Sequence, residues 1–183
     1  MIGITAIGEV DEFILKVIAA HITGYLNFKT QLLTPFEEPV YAYNYSRLQY
    51  DAGKILSNFE AVPFKPCEKV IGVLNCDIFL PVFTHVFGEA RQSGTHALVS
   101  LYRLESIPGT KDHSHPLLAE RAAKVALHEL GHLFNLFHCQ DEYCIMHFSG
   151  DLTCLDKISF HFCRSCSYTF KKNMDILGTR MRD

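Results

Sequence analysis

The stretch His128-Glu129-Leu130-Gly131-His132-Leu133-Phe134-Asn135-Leu136-Phe137-His138-Cys139 decides how this chain reads. It overlaps the end of the most regular apolar pattern in the sequence, Leu117 to Phe134, which predicts a long helix. On a helix, residues four apart share a face with about 6 Å between them, so the imidazoles of His128 and His132 can converge on one cation. Zinc–nitrogen bonds of about 2.0–2.1 Å suit that spacing. Glu129 is turned by about 100° from His128, which puts its carboxylate beside such an ion rather than on it. His138 is a different matter. On an unbroken helix it would sit about 9 Å further along the axis than His132, on another face and out of reach. A third ligand here requires the helix to stop and the chain to turn. Asn135 stands between them, and asparagine is the non-glycine residue that best tolerates the left-handed backbone that ends helices. Three histidines leave the fourth position of a tetrahedral zinc open to water, the arrangement of a catalytic ion. Such an ion acidifies its water toward a pKa of about 7 and polarises carbonyls, with Glu129 placed as general base.

Working outward, Cys139 directly follows His138 and pairs in sequence with Cys144; Cys163 and Cys166 form a second close pair. The chain has seven cysteines, an odd number that fits a pure disulfide framework badly. Two close pairs at this separation read as a four-cysteine zinc site, closed and therefore structural. Buried free thiols or a redox Cys163-x-x-Cys166 pair are the competing readings. If both sites form, the second zinc clamps the backbone that presents His138. Cys154 reads as a buried thiol. His113 and His115 read as solvated loop residues, His161 as a spare beside Cys163, and His21, His85 and His96 show no ligand spacing. His147 stays unassigned.

The whole chain has 183 residues and a formal net charge of −3. That length suits one domain spanning 1–183: a part over 1–134 holding the sheet and helices, and a cysteine-rich part over 135–183. No basic stripe interleaved with aromatics points to nucleic acid. No apolar run is long enough to span a bilayer, so no membrane partner is expected. The N-terminus lacks a basic leader region, so a cytoplasmic protein is the expectation, with a monomer the favoured state. Alternating apolar and β-rich segments predict strands at Ile2–Ile7, Phe28–Leu33, Val70–Phe79 and Leu98–Leu104. Helices are predicted over Asp11–Tyr25, Leu48–Phe59, Leu117–Phe134 and Tyr168–Met181, with polar loops at Pro35–Pro39 and Ser106–Pro116. Strands alternating with helices point to an α/β fold with a mostly parallel sheet.

Read together, His128-Glu129-x-x-His132-x-x-Asn135-x-x-His138-Cys139-x₄-Cys144-x-Met146 followed by Cys163-x-x-Cys166 resembles the archaemetzincin family of zinc metallopeptidases, within the metzincin group. The resemblance is specific over residues 128–166; upstream, Val86-Phe87-Gly88-Glu89-Ala90 looks like a stretch that precedes the family's edge strand. It implies a metzincin-like fold: a twisted mixed sheet packed on the active-site helix, plus a small cysteine-rich C-terminal zinc subdomain. It further implies that Leu98–Leu104 is the antiparallel edge strand along which an extended peptide binds, and that Met146 lies in a tight turn forming the floor under the histidines. Three departures stand out. Asn135 replaces a glycine, the interval from Met146 to Cys163 is about one residue short, and Phe148 stands where some metzincins outside the family carry a tyrosine.

The expectation is a peptidase with two zinc ions, one catalytic and one structural, acting on a peptide or protein. Glu129 is its base, His128, His132 and His138 its catalytic ligands, and Cys139, Cys144, Cys163 and Cys166 its structural ligands. The competing class is a zinc-containing peptide-binding module with little or no turnover, which would have no use for Glu129. Sequence does not separate an aminopeptidase from an endopeptidase, because no acidic group for a free amine can be placed.

Overall fold

The computed structural model describes residues 1–105 and 115–177. The chain opens with β1 (Ile2–Ile7), buried on both faces as its unbroken apolar run demands. α1 (Glu12–Leu26) follows. Its first turn is closed by the Asp11 side chain, which accepts from the Phe13 N–H, and its end by Asn27 in the left-handed conformation. Then come β2 (Thr30–Leu32), the hairpin β3 (Tyr43–Asn44) and β4 (Gln49–Asp51), α2 (Ala52–Phe59), β5 (Lys69–Leu74), β6 (Ile78–Phe79), β7 (Gly88–Ala90), β8 (His96–Ser100), α3 (His115–Leu133), α4 (Leu152–Lys157) and α5 (Arg164–Leu177).

The main sheet has five strands in the order β2-β1-β5-β8-β7, all parallel except β7, which runs antiparallel to β8 at the edge. α1 and α3 pack on one face and share an apolar core with Met146 and with Phe170 and Met174 of α5. α2 packs on the other face, where a second core gathers Ile55, Leu56, Leu74, Ile78 and Leu98. A small sheet, β3-β4-β6, extends that side. α3 lies close to the main sheet because its inner face is built of small residues, Ala119, Ala122, Ala123 and Ala126.

Several expectations change in detail. Leu98–Leu104 is not the edge strand. β8 covers His96–Ser100, is buried throughout and sits between β5 and β7. Its polar residues are accounted for locally: Ser100 Oγ donates to the Cys76 carbonyl at 2.6 Å, and Tyr102 and Arg103 lie beyond the strand end. The edge is β7, within the stretch read as preceding it. The expected helix Leu48–Phe59 begins only at Ala52, because the Asp51 side chain caps it by accepting from the Lys54 N–H at 3.1 Å; Gln49–Asp51 pair as a strand instead. The expected strand Val70–Phe79 ends at Leu74, and Ile78–Phe79 joins the small sheet. The polar Asn75 and Asp77 mark that break. Of the loop expected at Ser106–Pro116, residues 106–114, His113 among them, lie outside the described residues.

Candidate metal centre and cleft

α3 ends as Asn135 predicts. Asn135 adopts φ 64°, its N–H donates to His132 O at 2.9 Å, and the Leu136 N–H reaches back to Gly131 O at 3.0 Å. This paired closure is a Schellman motif with asparagine in the left-handed position. The turn returns the chain toward α3 and brings His138 to the two helical histidines. Ring centroids lie 4.8 Å apart for His128 and His132, 5.2 Å for His128 and His138, and 4.9 Å for His132 and His138. One donor nitrogen from each falls within 4.8 Å of the others.

Two of these rings have fixed tautomers. His128 Nδ1 lies 2.8 Å from Ile145 O, and His132 Nδ1 lies 2.8 Å from Leu136 O. A carbonyl only accepts, so each Nδ1 carries the proton and each Nε2 presents a lone pair. The two Nε2 atoms face each other at 3.1 Å. Neither is readily protonated: burial, and then the neighbouring His132, pushes His128 down to about 3, and burial lowers His132 and His138 as well. Two lone pairs at that distance call for a cation between them. Adjacent ligands of a tetrahedral zinc are about 3.3 Å apart, given bonds near 2.0–2.1 Å.

Glu129 faces a cavity of about 440 Å³ that the three histidines also line. It is 7 % exposed, and burial, with the nearby Glu89 charge, raises its pKa well above the carboxylate range. Opposite it runs β7. A Cβ on Gly88 would stand 2.6 Å from Glu129 Oε1 and 2.8 Å from its Cγ, so only glycine fits there. The far wall comes from α4 and the segment after it, through Leu155 and Ile158. Two cations of α3 hold that wall. Arg121 is 1 % exposed, grips both Asp156 oxygens at 2.8 and 2.7 Å and donates to Leu104 O. Lys124 Nζ donates to the carbonyls of Leu155 and Asp156. Sequence reading missed Gly88, Glu89 and the α4 wall. The available signal was a Gly-Glu pair inside the Val86–Ala90 stretch.

Met146 is fully buried in the turn below the helix, and a Cβ on Gly131 would meet its Sδ at 2.3 Å. Beyond it the four sulfurs of Cys139, Cys144, Cys163 and Cys166 gather within 4.8 Å of one another, all as free thiols. Cys139 and Cys163 are 3.7 Å apart, close to the roughly 3.8 Å separating two sulfurs on a tetrahedral zinc with bonds near 2.3 Å. Backbone N–H groups of Asp141, Cys163 and Cys166 donate to Cys139, Cys144 and Cys163 respectively. At Cys163 burial opposes the thiolate, but bonds from Cys166 N–H and the neighbouring thiols outweigh it and lower its pKa. The two clusters are joined: Cys139 N–H donates to Met146 O at 2.8 Å, and His147 Nδ1 donates to Cys139 O.

The residues set aside have other engagements. His115 pairs with Asp11 at 3.2 Å, His161 packs edge-on to Tyr25, His21 bonds Val17 O, and His96 sits between Phe59 and Phe64. His85 lines the cleft. Cys154 is half-buried beside Phe148 O.

Residues 10–172 match the model of peptidase family M54. The chain is 35 % identical over 169 residues to archaemetzincin of Methanocaldococcus jannaschii, covering 90 % of this chain and 89 % of the relative. Among solved structures it is similar to archaemetzincin of Methanopyrus kandleri, with TM-score 0.84, 31 % identity and coverage of 95 % and 94 %. It is also similar to archaemetzincin of Archaeoglobus fulgidus complexed with malonate, with TM-score 0.78, 32 % identity and coverage of 92 % and 98 %. No helix among the described residues is long and apolar enough to cross a membrane. On the family match, the shared fold and the clustered histidines, the chain belongs to peptidase family M54 and is a zinc metallopeptidase of the archaemetzincin kind.

Proposed function

We propose that His128, His132 and His138 hold the zinc of this peptidase, that Glu129 is its general base, and that Cys139, Cys144, Cys163 and Cys166 hold a second, structural zinc. The observation that carries the reading is the pair of Nε2 lone pairs facing each other at 3.1 Å, with both Nδ1 protons committed to carbonyls. Zinc there supplies Lewis acidity, which polarises a peptide carbonyl and acidifies water. The chain's own groups do the rest. Ile145 O and Leu136 O fix the ligand tautomers. Glu129, off the ligand set yet facing the same cavity, takes a proton on a carboxylate oxygen and returns it to the departing amine. The free edge of β7 offers backbone groups to an extended peptide, and the α4 wall shapes the space beyond. Gly88 leaves Glu129 the room its carboxylate needs.

The test is Glu129→Ala beside wild type and His132→Ala, with metal analysis and a peptide-library digest. The expected result is zinc retained and cleavage reduced by about 10²–10⁴-fold in Glu129→Ala, and loss of one zinc in His132→Ala. Unchanged cleavage by Glu129→Ala removes the base assignment. Peptide binding with no cleavage by wild type or by Glu129→Ala favours the binding-module reading.

A further inference from the structure

Glu89 is an acid without an evident occupation. It lines the same cavity as Glu129 and the histidines, yet it is not one of the donors that converge there. Among the described residues its side chain has no hydrogen bond and no ion pair. Other partly buried acids of this chain are engaged: Asp77 by Arg103, Asp156 by Arg121 and Glu60 by Arg91. The Glu129 side chain likewise has no hydrogen-bond partner among the described residues, and the residue is 7 % exposed. Lys124 is the one lysine or arginine lining this cavity among the described residues, and it is already committed to Glu120 at 3.0 Å and to two carbonyls. Burial lifts Glu89 to about 7. Its strand is the free edge of the sheet, where an extended chain would pair.

We propose that Glu89 receives a positively charged group of the substrate, an α-ammonium or a Lys or Arg side chain on the residue lying against β7, and so makes this a peptidase of cationic peptides. The proposal rests on the peptidase reading above. An ammonium or guanidinium arriving there gives Glu89 the hydrogen-bonded ion pair its side chain lacks and fixes the peptide relative to Glu129. A neutral substrate leaves the carboxyl desolvated and unpaired.

The test uses zinc-loaded protein and two peptide pairs. One pair differs only by acetylation of the N-terminus. The other, acetylated throughout, differs only by Lys against norleucine. Cleavage gives kcat and KM, and anisotropy of the same peptides with a C-terminal fluorophore gives affinity without turnover. The expected result is a preference of about tenfold for the charged member of one pair, expressed in KM and in affinity. Glu89→Gln removes that preference by weakening the charged member alone, and Glu89→Asp keeps most of it. The pair that responds identifies the source of the charge. A preference that survives Glu89→Gln, or none in wild type, overturns the assignment. Charge-selective, Glu89-dependent affinity without cleavage would remove the peptidase reading and leave Glu89 its role; cleavage blind to charge would do the reverse.

Discussion

Gly88 and Glu129 face each other so closely that a single methyl on the first would lie 2.6 Å from a carboxylate oxygen of the second. The strand and the helix approach each other at the carboxylate proposed as the general base. Gly88→Ala is therefore expected to displace Glu129 and leave the histidines alone. A misplacement of about 1 Å costs on the order of 10²-fold in rate. Steady-state kinetics with metal analysis checks it: kcat falls by about that factor while zinc content stays at the wild-type value. Wild-type kcat in Gly88→Ala would show that the contact yields without moving the carboxylate.

Gly131 and Met146 form the corresponding contact on the opposite side of α3. The methyl of Gly131→Ala would press on Met146 Sδ at 2.3 Å, with Phe162 behind at 3.6 Å. Overpacking of this kind costs about 1–3 kcal/mol. The thermal midpoint should fall accordingly, and a second change, Met146→Ala, should recover part of the loss. Additive losses in the double variant, measured by denaturant unfolding, would mean the two residues do not collide.

The shared backbone between the clusters predicts coupling. Replacing Cys163 and Cys166 by serine should lower zinc content by one ion and also weaken the histidine site, since Cys139 N–H is anchored on Met146 O beside His138. Chelator competition measures the second effect. An unchanged affinity at the histidines would show that the turn holds without its sulfur clamp.

Arg121→Met removes the two-pronged grip on Asp156 and the bond to Leu104 O. Asp156 keeps a third of its side chain in solvent, so the loss is about 2–3 kcal/mol and not the full penalty of a sealed pair. With α4 loosened, KM should rise more than kcat falls. Equal effects on both would place the role of Arg121 in stability alone.

What the sequence disclosed and what it concealed divide along physical lines. The helix end at Asn135, the return of His138 and the gathering of the four cysteines follow from local backbone chemistry and spacing, and the structure brings those residues together. Glu129 lies beside the histidines, as its turn around the helix requires. The sheet order was harder. Leu98–Leu104 alternates like a half-exposed strand, but its burial is decided by β5 and β7, which are distant in sequence. Gly88 and Glu89 gave no periodic signal because β7 is three residues long. Likewise α4 is a single short helix, and its importance to the cleft comes from Arg121 and Lys124 reaching across to it.

The brevity of β7 has its own consequence. An open sheet edge is an invitation to any strand, including those of unfolded chains and of other copies, and long flat edges lead to aggregation. Here the edge offers three residues, the first without a side chain, with bulky neighbours at Phe83 and Phe148 near the same opening. One narrow extended segment can be accommodated for a few residues, while a broad sheet cannot stack its register. A short edge of this kind can pair with one extended segment while giving little purchase to a second copy of the sheet.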